Sequence, residues 1–382
     1  MAKLSSLRYL DLSRNEKIGP SFDFCEAKTS LSLTVAIFPG LTYLDLSGCL
    51  LDTKSCTTLL KAMQPNGTEK LEQDTTMKAV RNLVLKLNSN NLSDENGIKE
   101  MMDVLARGNL VTALFMSKCQ IGDEGMKLIV DECCSSSELK AQGSSDNASN
   151  SVFLQQLDLS FNNLTSVSCL AKQLHLSSDG ISNNDSHYFS DLRTLNLSGN
   201  PLGQNIFAAI ECSPQWILSL EELDLSHTSC EVSGAVELIR RSNIRNSSLK
   251  KLNLFGNGMG SEGLIELSKV LHGGHLSLEY LDLGGNGATE SGVVTLVEVL
   301  KNPLGNDDEN DGQHTTEEKM ENTLRVLVVG GNAGGPALEK AVKEVEKVHP
   351  NLDIARDKLK PKNNDMPGGN MINSTPGTTW KS

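Results

Sequence analysis

Leu154-Gln-Gln-Leu157-Asp-Leu159-Ser-Phe-Asn162-Asn-Leu164 is the stretch that decides the fold, because the same order of residue types recurs along the chain. The spacing L-x-x-L-x-L-x-x-N-x-L returns from Leu192 to Leu202, from Leu249 to Met259 and from Leu278 to Ala288. With the asparagine position as register mark, ten copies fall at Asn15, Cys49, Asn90, Cys119, Asn162, Asn200, Thr228, Asn257, Asn286 and Asn332. Such recurrence predicts stacked units that contact their neighbours.

Each unit is predicted to contain a short strand, a turn and a helix. Four of the nine steps between marks span 28 or 29 residues, and the longer steps are the same unit with an insertion. The Leu-x-Leu alternation has the period of a strand. After Asn257, by contrast, Leu264, Leu267, Val270 and Leu271 fall on one face of a helix. The apolar pattern therefore changes from strand to helix inside every unit.

Stacking these units predicts an α/β solenoid. Parallel strands lie about 4.8 Å apart, and the wider helices on the outside bend the stack into a horseshoe with the sheet on its concave face. An asparagine at the strand end can hydrogen-bond backbone groups that leave the sheet unpaired. Cys49, Cys119 and Thr228 occupy this position in three units. We interpret them as small substitutes that also carry a donor.

The unit of 28 or 29 residues with a full helix resembles the ribonuclease-inhibitor-like (RNI-like) class of leucine-rich repeat proteins, over residues 7 to about 352. That class includes Ran GTPase-activating proteins and the repeat regions of nucleotide-binding receptors. The resemblance implies the solenoid fold but no single function, since one repeat scaffold serves many partners.

The domain prediction is a solenoid over residues 1–352, with about ten repeats, and a disordered, mildly basic tail over 353–382. Polar insertions are predicted near 135–151, 176–188 and 302–323. Such segments bury too little apolar surface to offset their ordering entropy. They are either contact sites for basic proteins or tolerated surface loops.

The N-terminal edge of the predicted solenoid has no cap, because the first strand begins shortly after Met1. Solenoids need capped ends. We therefore expect either a missing upstream domain or further repeats, or dimerisation through this edge.

Composition limits the expected class of binding partner and the expected cellular compartment. A formal net charge of −13 disfavours nucleic acid and anionic membranes and favours a protein partner with a basic surface. No apolar run is long enough to span a membrane. Nine cysteines without a framework spacing, and no signal peptide before the first repeat, predict free thiols and a cytoplasmic or nuclear protein.

Catalytic signals are weak. Gly258-Met-Gly260-Ser-Glu-Gly263 matches a dinucleotide-binding turn, but Gly122 and Gly125 occupy equivalent positions in another unit. We interpret these glycines as part of the ordinary turn between strand and helix. His272 and His275 are closely spaced but lack nearby further ligands for zinc. The prediction is no enzyme, no cofactor and no metal.

The remaining candidate site is the concave face, where side chains alternate with the buried leucines. Two columns of residues, four and six positions before each mark, are rich in carboxylates and tyrosines and could receive lysines or arginines of a partner. The predicted partner-binding residues are Tyr9, Asp11, Tyr43, Asp45, Lys86, Phe115, Asp158, Glu222, Asp224, Tyr280 and Asp282. A second interpretation is that Leu-Asp-Leu-Ser is simply a common way to build a soluble repeat strand.

The leading functional prediction is a non-catalytic protein-interaction scaffold. One alternative is a Ran-type GTPase-activating protein, although members of that family generally carry a strongly acidic C-terminal tail and this tail is mildly basic. The other alternative is the sensing repeat region of a nucleotide-binding leucine-rich repeat receptor. That function would need an upstream ATPase domain.

Overall fold

The structure is a computed structural model that describes residues 6–19, 40–63, 82–108, 111–135, 154–170, 191–212, 217, 219–242, 247–272, 278–301 and 323–356. The predicted insertions near 135–151, 176–188 and 302–323 lie outside these residues, apart from Ser135 and Thr323. The tail beyond residue 356 also lies outside them.

A single parallel sheet runs through the described chain, and its strands lie in chain order. The strands are β1 (Tyr9–Asp11), β2 (Tyr43–Asp45), β3 (Leu83–Lys86), β4 (Val111–Phe115), β5 (Gln156–Asp158), β6 (Thr194–Asn196), β7 (Glu222–Asp224), β8 (Lys251–Asn253), β9 (Tyr280–Asp282), β10 (Val326–Val328) and β11 (Asp353–Ala355). Residues at the same position of the repeat pair with each other, as Leu10 with Leu44 and Leu157 with Leu195. The register marks chosen from the sequence are therefore confirmed.

Helices follow most of the strands and lie on the opposite, convex side of the core. They are α1 (Thr53–Met63), α2 (Glu95–Gly108), α3 (Gly122–Ser135), α4 (Asn205–Cys212), α5 (Val232–Ser242), α6 (Gly260–His272), α7 (Glu290–Glu298) and α8 (Pro336–Val348). Short 3-10 turns cover Glu16–Ile18 and Val299–Lys301. This arrangement confirms the α/β solenoid with a concave sheet and convex helices.

The core is one continuous layer between sheet and helices. Both leucines of the Leu-x-Leu pairs point into it, and Leu157 in β5 and Leu159 directly after β5 are fully buried. On α6, Leu264, Leu267 and Leu271 are buried as the helical spacing predicts. Burying an apolar side chain of this size contributes about 1.5–3 kcal/mol. The last member of the layer along the described chain is Ile354 in β11.

A ladder of asparagines joins consecutive repeats. The Asn200 side-chain oxygen accepts the backbone N–H groups of Asn162 (2.8 Å) and Leu164 (3.0 Å) in the preceding unit. Its amide donates to the carbonyl groups of Leu159 (3.0 Å) and Leu197 (2.8 Å). The same bridging occurs at Asn90, Asn162, Asn257, Asn286 and Asn332.

The cysteines and the threonine that replace asparagine in the ladder still donate a side-chain hydrogen bond to a backbone carbonyl. Cys119 Sγ donates to the carbonyl of Leu87 at 3.1 Å, and Thr228 Oγ1 donates to the carbonyl of Leu225 at 2.7 Å. Cys49 Sγ donates to the carbonyl of Leu12 at 3.1 Å. Burial raises the pKa of the Cys119 thiol to about 12, so the thiol keeps its proton at neutral pH. The interpretation of these residues as ladder members is confirmed.

Candidate functional site

The eleven predicted partner-binding residues all lie on strands of the sheet. They belong to β1, β2, β3, β4, β5, β7 and β9. Because successive side chains of a strand point to opposite faces, and the intervening leucines point into the core, these residues share the concave face. Phe115, Asp158 and Asp282 are buried there and present little surface, whereas Tyr9 is 57% exposed.

The aspartate column has a structural task at the ends of the strands. Oδ1 of Asp158 accepts the backbone N–H of Ser160, two residues further on, at 2.9 Å. The same bond to residue +2 is made by Asp11, Asp45, Asn196, Asp224, Asn253 and Asp282. These bonds satisfy backbone donors where the chain turns out of the sheet. One oxygen of each of these aspartates therefore holds the turn at the end of its strand.

Several of the other carboxylate oxygens contact neighbours on the same face. Tyr43 Oη donates to Asp45 at 3.2 Å, and Tyr280 Oη donates to Asp282 at 3.3 Å. From β5 to β9, aspartates alternate with asparagines, and Asn253 Nδ2 donates to Asp224 Oδ2 at 3.0 Å. The alternation keeps carboxylates off adjacent strands, where like charges destabilise a sheet.

Negative charge on this part of the face is incompletely compensated. Burial raises the pKa of Asp158 and Asp224 above the ordinary aspartate value, although hydrogen bonds from Ser160 and Ser226 oppose that rise. A cation close to either carboxylate would lower its pKa instead. Burial therefore disfavours the charged form of both carboxylates on this part of the face.

Aromatic rings and a lysine form a row across the first four strands. The rings of Tyr9 and Tyr43 are stacked, with centroids 4.1 Å apart and planes 7° from parallel. Lys86 Nζ lies 5.3 Å from the Tyr43 ring and 5.3 Å from the Phe115 ring. Burial also raises the pKa of the Tyr43 hydroxyl, which stays protonated as the donor to Asp45. Lys86 and Phe115, which interrupt the carboxylate column, thus belong to a continuous aromatic and cationic surface.

A further column, immediately before each mark, was missed by the sequence prediction. Its backbone is left-handed, with φ of 57° at Lys118, 55° at Phe161 and 55° at His227. Lys118 Nζ lies 5.2 Å from the Phe161 ring, and Phe161 is 47% exposed. A left-handed conformation costs about 1–2 kcal/mol for a residue other than glycine. The sequence carried a signal, because Gly48, Gly199, Gly256, Gly285 and Gly331 occupy this column in other units.

The glycines of this column make room for the rings. A Cβ at Gly199 would lie 2.4 Å from the Phe161 ring, and one at Gly256 would lie 2.5 Å from the His227 ring. The His227 ring in turn meets the Phe255 ring edge-on, with centroids 5.2 Å apart. Rings and glycines therefore interlock along the C-terminal edge of the sheet.

The glycine-rich turn before α6 behaves as part of the repeat. The N–H of Gly260 donates to the carbonyl of Asn286 at 2.9 Å, and the N–H of Gly122 donates to the carbonyl of Asn162 at 3.0 Å. Equivalent turns thus bond to the next unit, which confirms the interpretation made from the sequence.

Across the described ranges, no group of three or more His, Cys, Asp or Glu side chains could hold a metal ion. Within those same ranges, no helix combines the length and apolar character needed to cross a membrane.

An open parallel sheet whose every strand presents side chains on one concave face, backed by helices, defines a repeat solenoid. The chain is a leucine-rich repeat protein. A family model described as Leucine Rich repeat matches residues 3–21, 109–130, 150–171 and 245–268, and a second model, Leucine Rich Repeat, matches residues 191–212. No curated protein sequence matches the chain significantly.

The chain is also similar to solved structures from several organisms. LegL7, a leucine-rich repeat-containing protein of Legionella pneumophila, is 15% identical with a TM-score of 0.49, and the match covers 91% of this chain and 93% of LegL7. A chain of the yeast Rad7 and Elc1 complex is 18% identical with a TM-score of 0.43, covering 89% and 76% of the two chains. The internalin InlF of Listeria monocytogenes is 14% identical with a TM-score of 0.38, covering 94% and 82%.

Proposed function

We propose that this chain is a non-catalytic protein-interaction scaffold of the RNI-like class that binds a partner protein on its concave face. The observation that carries the proposal is the in-register exposure of polar and aromatic side chains on that one face, as in the Tyr9 and Tyr43 stack. Aromatic rings with polar neighbours are typical of the residues that anchor protein interfaces.

A basic partner surface fits the central strands. The formal net charge is −13, and burial raises the pKa of Asp158 and Asp224, so that a further cation beside either carboxylate would stabilise its charged form. Lysine or arginine side chains of a partner would supply that cation. We place this activity in the cytoplasm or nucleus, in keeping with the free cysteines Cys49, Cys56, Cys119, Cys169 and Cys230.

The test must leave the aspartates in place, since their Oδ1 atoms hold the strand ends. A photo-crosslinking amino acid replaces Gln156 or Thr194, which are half-buried on the concave face, in the full chain expressed in its native cell. Matched positions on the convex side are Lys99 and Lys127, both exposed on helices.

Illumination is expected to give the same defined protein adduct from Gln156 and from Thr194, and none from the two lysine positions. Adducts that form only at Lys99 and Lys127 would show that the convex helices carry the partner. A defined adduct at neither concave position would also end the proposal.

A further inference from the structure

We propose that the concave face over β3 to β5 binds an acidic, extended segment of the partner protein, with separate carboxylates paired to Lys86 and Lys118. This inference rests on the proposed function, because it assigns a partner chemistry to one part of the same face. The basic groups expected at Asp158 and Asp224 would then belong to another part of the same partner.

The three lysines on the described part of the concave face differ in how they are paired. Lys251 Nζ lies 2.5 Å from Glu222 on the next strand, so its charge is compensated within the chain. Lys86 and Lys118 lie over aromatic rings instead, and neither forms an ion pair with a carboxylate of the described residues. An ammonium group over a ring keeps donors directed away from that ring. Both lysines can therefore receive a carboxylate from outside.

The surroundings of the two lysines supply the rest of a binding surface. Phe161 is exposed beside Lys118 and is held in a left-handed conformation that a glycine would adopt at lower cost. An exposed ring and two cations thus lie on, or a few residues after, the neighbouring strands β3, β4 and β5.

The spacing suits an extended chain. Lys86 is the last residue of β3, and Lys118 lies in the turn three residues after Phe115, the last residue of the adjacent β4. Three residues span at most roughly 10 Å and neighbouring strands lie roughly 4.8 Å apart, so the Cα atoms of the two lysines lie within roughly 15 Å of each other. The long side chains of lysine and glutamate cover the rest of the span between residues i and i+3 of an extended segment. A segment with acidic side chains three residues apart can reach both lysines, and apolar side chains between them can contact Phe161.

A single-stranded nucleic acid also combines negative charge with stacking on rings. Asp45 on β2 and Asp158 on β5 border the two lysines, however, and Asp158 is buried without a compensating cation. A continuous phosphate chain would meet both carboxylates, whereas a peptide can place neutral residues opposite them. The charge pattern therefore favours an acidic protein segment.

The test measures binding of synthetic fluorescent probes to the purified full chain by fluorescence anisotropy. The main probe is a peptide with Glu at every third position among Ser and Leu. Matched peptides carry Gln or Lys in place of Glu, and the last probe is single-stranded oligouridine RNA. The variants are Lys118→Met, Lys86→Met with Lys118→Met, and the control pair Lys127→Met with Glu124→Gln, which removes an ion pair (3.5 Å) on the convex helix α3.

The acidic peptide is expected to bind more tightly than the Gln peptide and to weaken as salt rises. The Lys86→Met and Lys118→Met variant should lose affinity by about tenfold or more, because two charge-assisted contacts disappear. The control pair should change affinity by less than about twofold. Methionine keeps the aliphatic stem over the rings, and Lys118 is exposed, so Lys118→Met alone gives an intermediate loss without disturbing the core.

Several outcomes would overturn this inference. Equal affinities for the Glu and Gln peptides, or an unchanged affinity after the two lysine substitutions, would show that the surface does not bind an acidic segment. If the RNA binds more tightly than the acidic peptide, and does so through the two lysines, the ligand of this surface is a nucleic acid and not a protein segment. Binding that emerges only after Asp307, Asp308, Glu309 and Asp311 are neutralised would make the chain's own acidic segment the occupant. Binding of the Lys peptide alone, with concave crosslinks intact, would overturn this inference and leave the proposed function standing.

Discussion

Single side chains at the strand ends hold neighbouring repeats together. Asn200 is fully buried, and its amide satisfies four backbone groups in two units. Cys119 satisfies the carbonyl of Leu87 with its thiol, and the backbone carbonyl of Cys119 accepts the N–H of Leu92. Polar residues in this core are therefore stabilising only where every group they bury is bonded.

The buried thiols predict how stability falls in alkali. The pKa of Cys119 is raised from 9.0 to about 12, so the folded chain retains a proton that the unfolded chain loses above pH 9. The stability this thiol contributes is complete below pH 9.0 and is lost as pH rises toward about 12, at a rate that approaches about 1.4 kcal/mol per pH unit. Cys119→Ser keeps the donor and removes this titration. Urea denaturation at pH 7 and pH 10.5 should show a smaller alkaline loss in Cys119→Ser; equal losses would contradict the burial argument.

A substitution at Gly199 tests the role of the left-handed residues that immediately precede the register marks. Gly199→Ala should destabilise the chain by about 1–2 kcal/mol through its backbone alone, since φ is 68°, and further because the new Cβ would lie 2.4 Å from the Phe161 ring. Gly258→Ala is the matched control, with φ of 71° and open space around the new Cβ. In thermal denaturation, the melting temperature of Gly199→Ala should be lower than that of Gly258→Ala. Adding Phe161→Ala to both variants should remove the part of this difference that the ring causes. Equal melting temperatures of the two alanine variants would show that the ring does not fill this space.

Each repeat also stabilises the next one through its helix. Gly335, which precedes α8, provides no side-chain cap, but Glu290 Oε1 in α7 accepts the N–H groups of Ala337 (2.7 Å) and Leu338 (3.0 Å). In another unit, Asp123 of α3 accepts the N–H groups of Thr165 and Ser166. An acidic residue in the first turn of one helix thus satisfies backbone donors of the following unit, where negative charge is favourable.

Glu290→Ala should therefore affect the neighbouring helix more than its own. The expected loss is about 1 kcal/mol, with faster amide exchange at Ala337 and Leu338 because their acceptor is gone. Hydrogen exchange read by mass spectrometry checks this directly. Glu262→Ala is the control, since Glu262 is an exposed acidic residue in the first turn of α6. If exchange rises in α7 and not in α8, the contact between repeats has no stabilising role.

The sequence predicted the elements well because strand and helix impose different apolar periods. The register, the buried face of α6 and the roles of Cys119 and Thr228 all followed from residue type and spacing. The turn at each strand end did not follow, because it depends on backbone dihedral angles. The bond from Asp158 to the N–H of Ser160 and the exposed ring of Phe161 both arise from that turn.

The whole molecule is a linear stack, so its stability is distributed along the sheet. Leu252 in β8 is fully buried between two neighbouring strands, whereas Leu10 in β1 is only partly buried and pairs with β2 on one side. In a solenoid, each unit contributes its own stability and the interfaces to its neighbours. A cavity in a central unit therefore weakens two interfaces.

Leu252→Ala should cost about 3 kcal/mol, within the range for a fully buried leucine. Leu10→Ala, at the equivalent position of the first unit, should cost about 1 kcal/mol because less apolar surface is lost. Urea denaturation of both variants provides the comparison. A larger effect of Leu10→Ala would mean that the central repeats do not carry the stability of the stack.

The central claim, that the partner occupies the concave face, is tested most directly by hydroxyl-radical footprinting of the chain with and without its captured partner. Tyr9 (57% exposed) and Phe161 (47%) report on the concave face, and Val348 (56%), at the end of α8, reports on the convex side. Binding is predicted to reduce oxidation of Tyr9 and Phe161 and to leave Val348 unchanged. Protection of Val348 with unchanged oxidation of Tyr9 and Phe161 would contradict the claim.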